Sequence, residues 1–275
     1  MSLVTRTSPP SCAVVVSSCD AYSDLWPYFF HFYFKYRPAA PQPVYLIANE
    51  RRFADPRVKT INVGPDQQWG SNTRAAIEQV EADVVLLLLD DFFFDAPFPE
   101  DIFPRTLEQF TAAQGRMLEM RVHSDVGEKV EGTDFRRADP QNLYAGINSN
   151  LWQRDLLLEI AQPGLNIWKC ESLVRKKLRE GERNFLFMGL QAPKQISFVE
   201  GVRGRFWKPE GLAYMRKNGI EPDLRRRPCP PQGEGFMAKL VRSWYKRRMQ
   251  FRQTLDAKRP PGGVVYPYPH SKHAE

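Results

Sequence analysis

The chain of 275 residues lacks the features that mark several common protein classes. Its four cysteines are scattered with no Cys-x-x-Cys pair, so neither a zinc knuckle nor a disulfide framework is indicated. There is no charged-then-apolar signal peptide, and no uninterrupted apolar run approaches the roughly 20 residues that a membrane span needs. These absences predict a protein of the reducing cytoplasm.

Charge of one sign is concentrated in one segment. Residues 222–275 hold 12 Lys and Arg against 4 Asp and Glu, a net charge of +8. Because the whole chain carries +7, the remaining residues are close to neutral at −1. The basic character therefore belongs to a tail rather than to the fold, and nucleic acid is not an expected partner. The length allows one large α/β domain or one domain with an appendage.

What the chain does contain is a series of apolar runs, each of which ends in polar residues. The runs typical of buried strands are 12–22, 44–50, 58–64 and 84–89. Helical patterns stand between them at 23–38 and 69–83. Further helices are predicted at 104–114, 149–164, 166–181 and 209–219, and further strands at 115–124 and 195–207. This alternation predicts a doubly wound α/β sheet, whose ligands bind outside the carboxyl ends of the strands.

Polar side chains gather at those predicted strand ends. They are Ser17, Ser18, Asp20, Asn49, Glu50, Asp90 and Asp91. Two adjacent carboxylates after a buried run are costly unless solvent, neighbours or a metal neutralises them. Taken alone, the acidic pair is explained equally well by a ligand site or by a strand that leaves the core into a solvated turn. The convergence of several strand ends favours a ligand site.

Three chemistries place aspartates after a strand. A phosphoaspartyl enzyme needs Asp-x-Asp-x-Thr after its first strand, and a receiver domain needs its acidic pair there too. Here the pair follows roughly the fourth strand, and no threonine accompanies it. The third chemistry is sugar transfer from a nucleotide sugar, in which a carboxylate pair holds a divalent cation that bridges the donor diphosphate. Carboxylate and phosphate oxygens suit Mg²⁺ or Mn²⁺.

Four segments carry a resemblance to a known family. In order along the chain they are SSCDAY, WGSNTRAAI, LLLLDDFF and GLNIWKCE. With these segments the chain, over roughly residues 13–215, resembles bacterial glycosyltransferases of the GT-A fold that build surface polysaccharide. The resemblance implies a Rossmann-type α/β domain, residues 1–221, with a mixed, mostly parallel central sheet. The usual Asp-x-Asp of the family is Asp-Asp here.

The resemblance also implies roles for an inverting hexosyltransferase, which needs a base for the acceptor hydroxyl and a group that stabilises the departing diphosphate. Glu171 is the expected base, and Asp91 with Asp90 the expected ligands of Mn²⁺ or Mg²⁺. Trp168 and Trp152 are the expected acceptor-binding residues. The residues expected to bind the nucleotide sugar are Ser17, Asp20, Tyr22, Asn49, Glu50, Arg74, Asp90, Arg203 and Arg205.

Ordinary structural explanations remain for several of these residues. Glu171 also fits a solvated glutamate in the first turn of a helix, and Arg74 an exposed helix arginine. Trp168 also fits a core tryptophan. Arg203 and Arg205 of VRGRFW could form a diphosphate clamp, and the alternative is that they lie on opposite faces of one strand.

The tail is predicted as a linker, 222–235, followed by a basic amphipathic helix and loose residues, 236–275. Within 236–255 an apolar stripe stands against clustered cations, which is typical of an interfacial helix on anionic lipid. A helix docked on the domain with a solvated basic face is the alternative. We expect a cytoplasmic protein, peripheral on the inner face of the membrane, with a glycan or lipid-linked acceptor.

Two other functions remain open. A sugar nucleotidyltransferase would need a glycine-rich phosphate loop with a basic residue directly after the first strand, and SSCDAYSD has neither. A non-catalytic, basic α/β binding protein would use the aspartate pair only structurally.

Overall fold

The computed structural model describes residues 10–139, 146–231 and 263–268, together with Leu240 and Ser243. Its helices are α1 (Trp26–Tyr36), α2 (Gln68–Ile77), α3 (Phe103–Ala112), α4 (Arg154–Ile160), α5 (Ile167–Arg179) and α6 (Pro209–Lys217). The strands of its first half are β1 (Cys12–Ser17), β2 (Val44–Ala48), β3 (Arg52–Phe53), β4 (Val58–Asn62), β5 (Val84–Leu89), β6 (Phe92–Phe94) and β7 (Met117–Ser124). The remaining strands are β8 (Phe135–Arg137), β9 (Asn150–Gln153), β10 (Phe185–Gly189), β11 (Phe198–Glu200), β12 (Val202–Arg203), β13 (Phe206–Trp207) and β14 (Val264–Val265).

Eight of these strands form the central sheet, in the order β4-β2-β1-β5-β9-β7-β10-β8. The strands β4, β2, β1 and β5 are parallel, and β7 and β10 run in the same direction because β9 is antiparallel to both β5 and β7. Only β9 and β8 oppose them. The predicted mixed, mostly parallel sheet of an α/β fold is therefore confirmed. The carboxyl ends of β4, β2, β1, β5 and β7 share one edge.

A hydrophobic core lies on each face of the sheet. Because successive side chains of a strand point to opposite faces, β1 sends Val14 and Val16 into one core and Val15 into the other. The first core packs α1, α3 and α6, and the second packs α2, α4 and α5. The helix predicted over 23–38 is α1, whose buried side chains are Trp26, Phe29, Phe30, Phe32 and Tyr33.

The predicted helix 149–164 is wrong in its first part, where residues 150–153 form β9. Leu151 packs into one core and Trp152 into the other, which is the two-residue alternation of a strand. Four residues are too few to separate this period from a helical one in the sequence. Strand β10 has no counterpart among the predicted elements, and the run 195–207 divides into β11, β12 and β13.

Parts of the predicted linker and tail pack against the domain. Arg227, inside the predicted linker, is only 3% exposed. Strand β14, inside the predicted loose tail, pairs in parallel with β3, and the Tyr268 ring lies 5.9 Å from that of Tyr28. The predicted basic helix over 236–255 falls outside the described residues except at Leu240 and Ser243. Among the helices that are described, none is long and apolar enough to cross a membrane.

Candidate functional site

Asp90 lies at the carboxyl end of β5 and is held there by neighbouring side chains. It is only 4% exposed, and the hydroxyl of Ser18, just past the end of β1, donates to its Oδ2. Trp26 Nε1 donates in turn to Ser18 Oγ over 2.6 Å. Burial, assisted by the negative charge of Asp91, raises the pKa of Asp90 well above its usual range. The acidic pair therefore contains one carboxyl that is fixed by the protein.

Asp91 has an open coordination position. Its Oδ1 is shielded from solvent and has no hydrogen-bond partner among the described residues. Its main-chain oxygen accepts from the Gly201 amide at 2.8 Å, which ties the end of β5 to the segment that leads into β12. Burial raises the pKa of Asp91 to about 7, and the negative charge of Glu200 adds to the shift. A carboxylate oxygen that is shielded from water and has no partner is costly, so this position suits a cation.

The donor set at this position fits a cation that is shared with a phosphate ligand. No cluster of three or more His, Cys, Asp or Glu that could hold a metal occurs in the described part of the chain. Mg²⁺ in phosphate-handling sites is commonly bound by one or two carboxylates, with substrate oxygens and water completing its coordination. Asp91, with Asp90 beside it, supplies that minimal set.

The ends of β1 and β2 are joined by the Asp20 carboxylate. It accepts from the backbone amides of Asn49, Glu50 and Arg51 at 3.0 to 3.3 Å. The Asn49 side chain completes the junction, because its Oδ1 accepts from the Asp20 amide at 3.0 Å and its Nδ2 donates to the Gly64 oxygen at 2.9 Å. Asp20 and Asn49 thus shape the edge of the sheet through bonds within the protein. Their contact with a nucleotide stays a prediction.

Ser17 and Glu50 complete the residues at this edge that the sequence predicted. The buried Ser17 Oγ accepts from Trp69 Nε1 at 2.9 Å, so it connects β1 to the first turn of α2. Glu50 is half-buried directly after the end of β2. Both residues lie on the carboxyl edge, where the sequence places them.

Tyr22 anchors the hairpin β12–β13 beside the acidic pair. Its hydroxyl donates to the main-chain oxygen of Gly204 in the hairpin turn. The Arg227 guanidinium lies 4.7 Å from the centre of the Tyr22 ring. Arg205 in the same turn has a buried NH1 with no partner in the described part of the structure, whereas Arg203 is bonded to Glu200 at 2.8 Å. Arg205 is therefore the better placed of the two arginines to bind an anion.

The N-terminal part of α5 carries an exposed aromatic ring, Trp168, and, one turn later, the predicted base Glu171. Asn166 caps this helix, with its Oδ1 accepting from the Lys169 amide at 3.0 Å. Glu171 Oε1 accepts from the backbone amide of Ile147 at 3.0 Å, which sets the direction of the carboxylate. Trp168 is 71% exposed, so its ring is open to a ligand and is not a core residue.

Two predicted site residues lie elsewhere. Arg74 donates to the oxygens of Leu158 at 2.6 Å and Ala161 at 3.2 Å, so it binds the last carbonyls of α4. Trp152 is fully buried in the core between the sheet and the helices α2, α4 and α5. Assigning Trp152 to the acceptor is wrong, because its side chain is fully buried. Arg74 caps α4, and its contact with a donor stays a prediction.

The structure also brings together polar residues that sequence reasoning missed. Glu119, the third residue of β7, is buried opposite Asn150 at the start of β9, and Asn148 is buried just before that strand. A signal for Glu119 is present in the run MLEMRV, where Glu119 and Arg121 interrupt an otherwise apolar strand with opposite charges on the same face. The pairing of Asp24 with Arg227 has no local signal, because the two residues are 203 positions apart.

A separate cavity of about 370 Å³ lies between the start of α1, Arg51, residues 222–226 and β14. Arg51 NH1 and Arg226 NH2 both donate to the hydroxyl of Ser23 in its wall, at 2.9 and 3.2 Å. Val264 and Val265 of β14 close one side. Its lining includes none of Asp90, Asp91 and Glu171.

No protein-family model matches the chain, and no curated protein matches it in sequence. Among solved structures it is similar to S. aureus TarS 1-349, with a TM-score of 0.45 and 13% identity over 66% of this chain and 59% of that one. It is similar to a 4-diphosphocytidyl-2C-methyl-D-erythritol synthase, with a TM-score of 0.45 and 14% identity over 77% of this chain and 99% of that one. A CMP:2-keto-3-deoxy-manno-octonic acid synthetase in complex with CTP gives a TM-score of 0.43 and 15% identity over 76% and 98%. Likeness at this level assigns no function, which has to be argued from the chain's own residues.

Proposed function

We propose that the chain is a glycosyltransferase that moves a sugar from a nucleoside diphosphate donor to a hydroxyl of a glycan or lipid-linked acceptor, with inversion. The observation that carries the proposal is the Asp91 carboxylate. Its Oδ1 is shielded from solvent and has no partner among the described residues, and Asp91 lies just past the carboxyl end of the central strand β5. Ligands of open α/β sheets bind outside this edge.

The donor lies across the carboxyl ends of β4, β2, β1 and β5 in this proposal. Asp20 and Asn49 hold that edge in shape through their bonds between β1 and β2. The buried, unpartnered NH1 of Arg205 faces no competing acceptor among the described residues and binds a diphosphate oxygen as a charge-assisted donor. Ser17, Glu50 and Tyr22 line the nucleotide side.

Asp91, with Asp90 beside it, would hold Mn²⁺ or Mg²⁺, which supplies positive charge for the diphosphate leaving group when bound. The protein contributes the orientation of the two carboxyl groups. Ser18 and Trp26 keep Asp90 in place through their hydrogen bonds, and the Gly201 amide keeps the Asp91 backbone in place.

Glu171 acts as the general base in this proposal. The Ile147 amide binds Oε1, so Oε2 takes the proton of the acceptor hydroxyl. The acceptor oxygen then forms the bond to the anomeric carbon while the bond from that carbon to the diphosphate oxygen breaks. The electron pair leaves with the nucleoside diphosphate. The exposed ring of Trp168, one turn earlier, offers an apolar face on which an acceptor sugar stacks.

The test is calorimetric titration with UDP, GDP and dTDP and their common sugar conjugates, with and without Mn²⁺. A glycosyltransferase binds a nucleoside diphosphate more tightly when the cation is present. Once an acceptor is added, it converts the nucleotide sugar into free nucleoside diphosphate. A sugar nucleotidyltransferase instead binds a nucleoside triphosphate and releases pyrophosphate. Absence of binding to every diphosphate in the set would contradict the proposal and favour a non-catalytic role.

A further inference from the structure

Next to Glu171 lies a group of buried polar side chains for which the reaction above has no use. The group, here the Glu119 cluster, consists of Glu119, Asn148, Ser149 and Asn150, and each member is at most 5% exposed. Three of its polar atoms have no hydrogen-bond partner among the described residues, namely Glu119 Oε2, Asn148 Nδ2 and Asn150 Oδ1. Each such atom loses its water without replacement, so three of them in one place call for an occupant.

Bonds within the protein hold the Glu119 cluster in a defined arrangement. Glu119 and Asn150 are directly opposite each other on the antiparallel strands β7 and β9, so their side chains share a face of the sheet. Glu119 Oε1 accepts from the Arg121 amide at 3.2 Å, and Asn150 Nδ2 donates to the Gly146 oxygen at 2.7 Å. Asn148 Oδ1 accepts from the Ser149 hydroxyl at 2.8 Å. In Glu119, Asn148 and Asn150, one polar atom is thus tied down and the other is left open.

The backbone at Ser149 is strained. Its φ is +61°, in the left-handed region that a residue with a side chain rarely adopts, and the residue is fully buried. Its amide donates to the Leu87 oxygen of β5 at 3.0 Å, which places the cluster one strand away from Asp90 and Asp91. Strain of this kind persists where the surroundings over-determine the backbone, and it concentrates at ligand sites.

We propose that the Glu119 cluster binds a hydroxyl group of the sugar that the nucleotide carries. This inference rests on the proposed function. If the nucleoside diphosphate covers the ends of β4, β2, β1 and β5, its sugar continues past the acidic pair onto β9 and β7. The open atoms include an amide donor, Asn148 Nδ2, and two oxygens, and a hydroxyl can bind both kinds because it donates and accepts.

A charged ligand group fits the Glu119 cluster less well. Phosphate oxygens only accept, and the two open oxygens of Glu119 and Asn150 would repel them. The Glu119 carboxylate already has Arg121 Nε 3.7 Å away as a partial counter-charge, and the negative charge of Glu171 acts on it from α5. A neutral ligand with several hydroxyl groups can bind in these surroundings, and so can a water molecule. The experiment below distinguishes the sugar from water.

The experiment measures the dissociation constants of UDP, GDP and dTDP and of their sugar conjugates, in wild type, Asn148→Ala and Glu119→Gln. The affinity for the nucleotide sugar divided by the affinity for the nucleotide alone isolates the contribution of the sugar. We expect each variant to reduce this ratio about five- to tenfold, the effect of one hydrogen bond, with the nucleotide itself bound as in wild type. Gln195→Leu is the matched control, because it removes another buried amide with an unpartnered oxygen, bonded to Thr106 of α3 on the opposite face of the sheet.

Monodeoxy forms of the donor sugar test the same contact in wild type without any substitution. Removal of one particular sugar hydroxyl is expected to lower the affinity of wild type for the donor. The same removal should lower the affinity of Asn148→Ala no further. An unchanged ratio in both variants, or uniform losses for every deoxy sugar, would show that water alone fills the Glu119 cluster and would overturn the inference. An altered acceptor KM with an unaltered donor ratio would overturn it too. If no nucleotide binds to wild type, it is the proposed function that fails.

Discussion

Asp24 and Arg227 are 203 positions apart in the chain and form a two-pronged ion pair, with hydrogen bonds of 3.0 and 3.1 Å. Both side chains are largely buried. The pair fastens residues after α6 to the loop that follows β1, and through the ring of Tyr22 it touches the hairpin beside Asp91. The end of the described domain is thus part of the structure that supports the candidate site.

Arg227→Met is expected to lower the free energy of unfolding by about 3 kcal/mol, because it removes both hydrogen bonds to the buried Asp24 carboxylate and leaves it only Arg226, 3.7 Å away. Urea unfolding followed by tryptophan fluorescence measures this. Arg216→Met is the matched control, since its ion pair with Glu221 is on the surface, and no measurable change is expected there. Equal stability of the two variants would contradict the structural role of the buried pair.

Asp91→Asn is expected to abolish the Mn²⁺-dependent part of nucleoside diphosphate binding and to leave the fold intact. The substitution removes a charge and almost no volume, so a loss of binding reports on coordination. Calorimetry with and without Mn²⁺ measures it. Asp83→Asn serves as the control, because Asp83 lies at the opposite end of β5 and bonds to Ser11. Identical binding by Asp91→Asn and wild type would remove Asp91 from the site.

Glu171→Gln is expected to keep donor affinity and to lower kcat by about two to four orders of magnitude, the usual share of a general base. Gln retains the hydrogen bond from the Ile147 amide but takes no proton. Glu180→Gln, at the other end of α5 and paired with Lys176, is the control and should turn over normally. Near-normal turnover by Glu171→Gln would move the role of base to another residue.

The buried carboxyl group of Glu119 is expected to make the free energy of unfolding depend on pH. Burial raises its pKa from the ordinary value of 4.5 to about 7, so the folded protein holds this proton more tightly than the unfolded chain. The contribution to stability is complete below pH 4.5 and is lost as the pH rises towards 7. Glu119→Gln has no such proton, so its stability relative to wild type should rise by about 2–4 kcal/mol between pH 4.5 and pH 8. Urea unfolding at several pH values measures this difference, and parallel curves for the two proteins would contradict it.

The basic segment 236–255 is expected to bind anionic vesicles. Lys246, Arg247 and Arg248 together contribute about 3 kcal/mol near an anionic surface, so replacing all three by Gln should weaken binding about a hundredfold. Co-sedimentation with anionic and neutral vesicles at low and high salt measures this, and the salt should release wild type. Truncation is a poorer test, because β14 lies beyond the segment and pairs with β3.

A matched triple replacement on α5 controls for net charge in the vesicle experiment. Lys169, Lys176 and Arg179 are exposed, and changing them to Gln removes the same three charges. This variant should bind vesicles as wild type does. Equal loss in both variants would mean that total charge, and not the segment 236–255, determines the binding.

The sequence by itself determined the first half of the sheet and the place of its acidic pair. Strands such as β1 and β5 are apolar on both faces over five and six residues, and a run of that kind with polar residues at its end has few other structures available. The exposed Trp168 and the half-buried Glu171 also lie at the start of a helix, as expected.

Only the tertiary structure decided which polar side chains remain open. Arg74 and Trp152 carry the same local signals as the polar residues at the edge of the sheet, yet one caps α4 and the other fills the core, because the elements that meet them come from distant parts of the chain. The strand β9 and the Glu119 cluster depend likewise on pairing between residues about 30 positions apart. A local pattern reports the period of a segment, whereas the partners of a buried polar atom are set by the packing of the whole sheet.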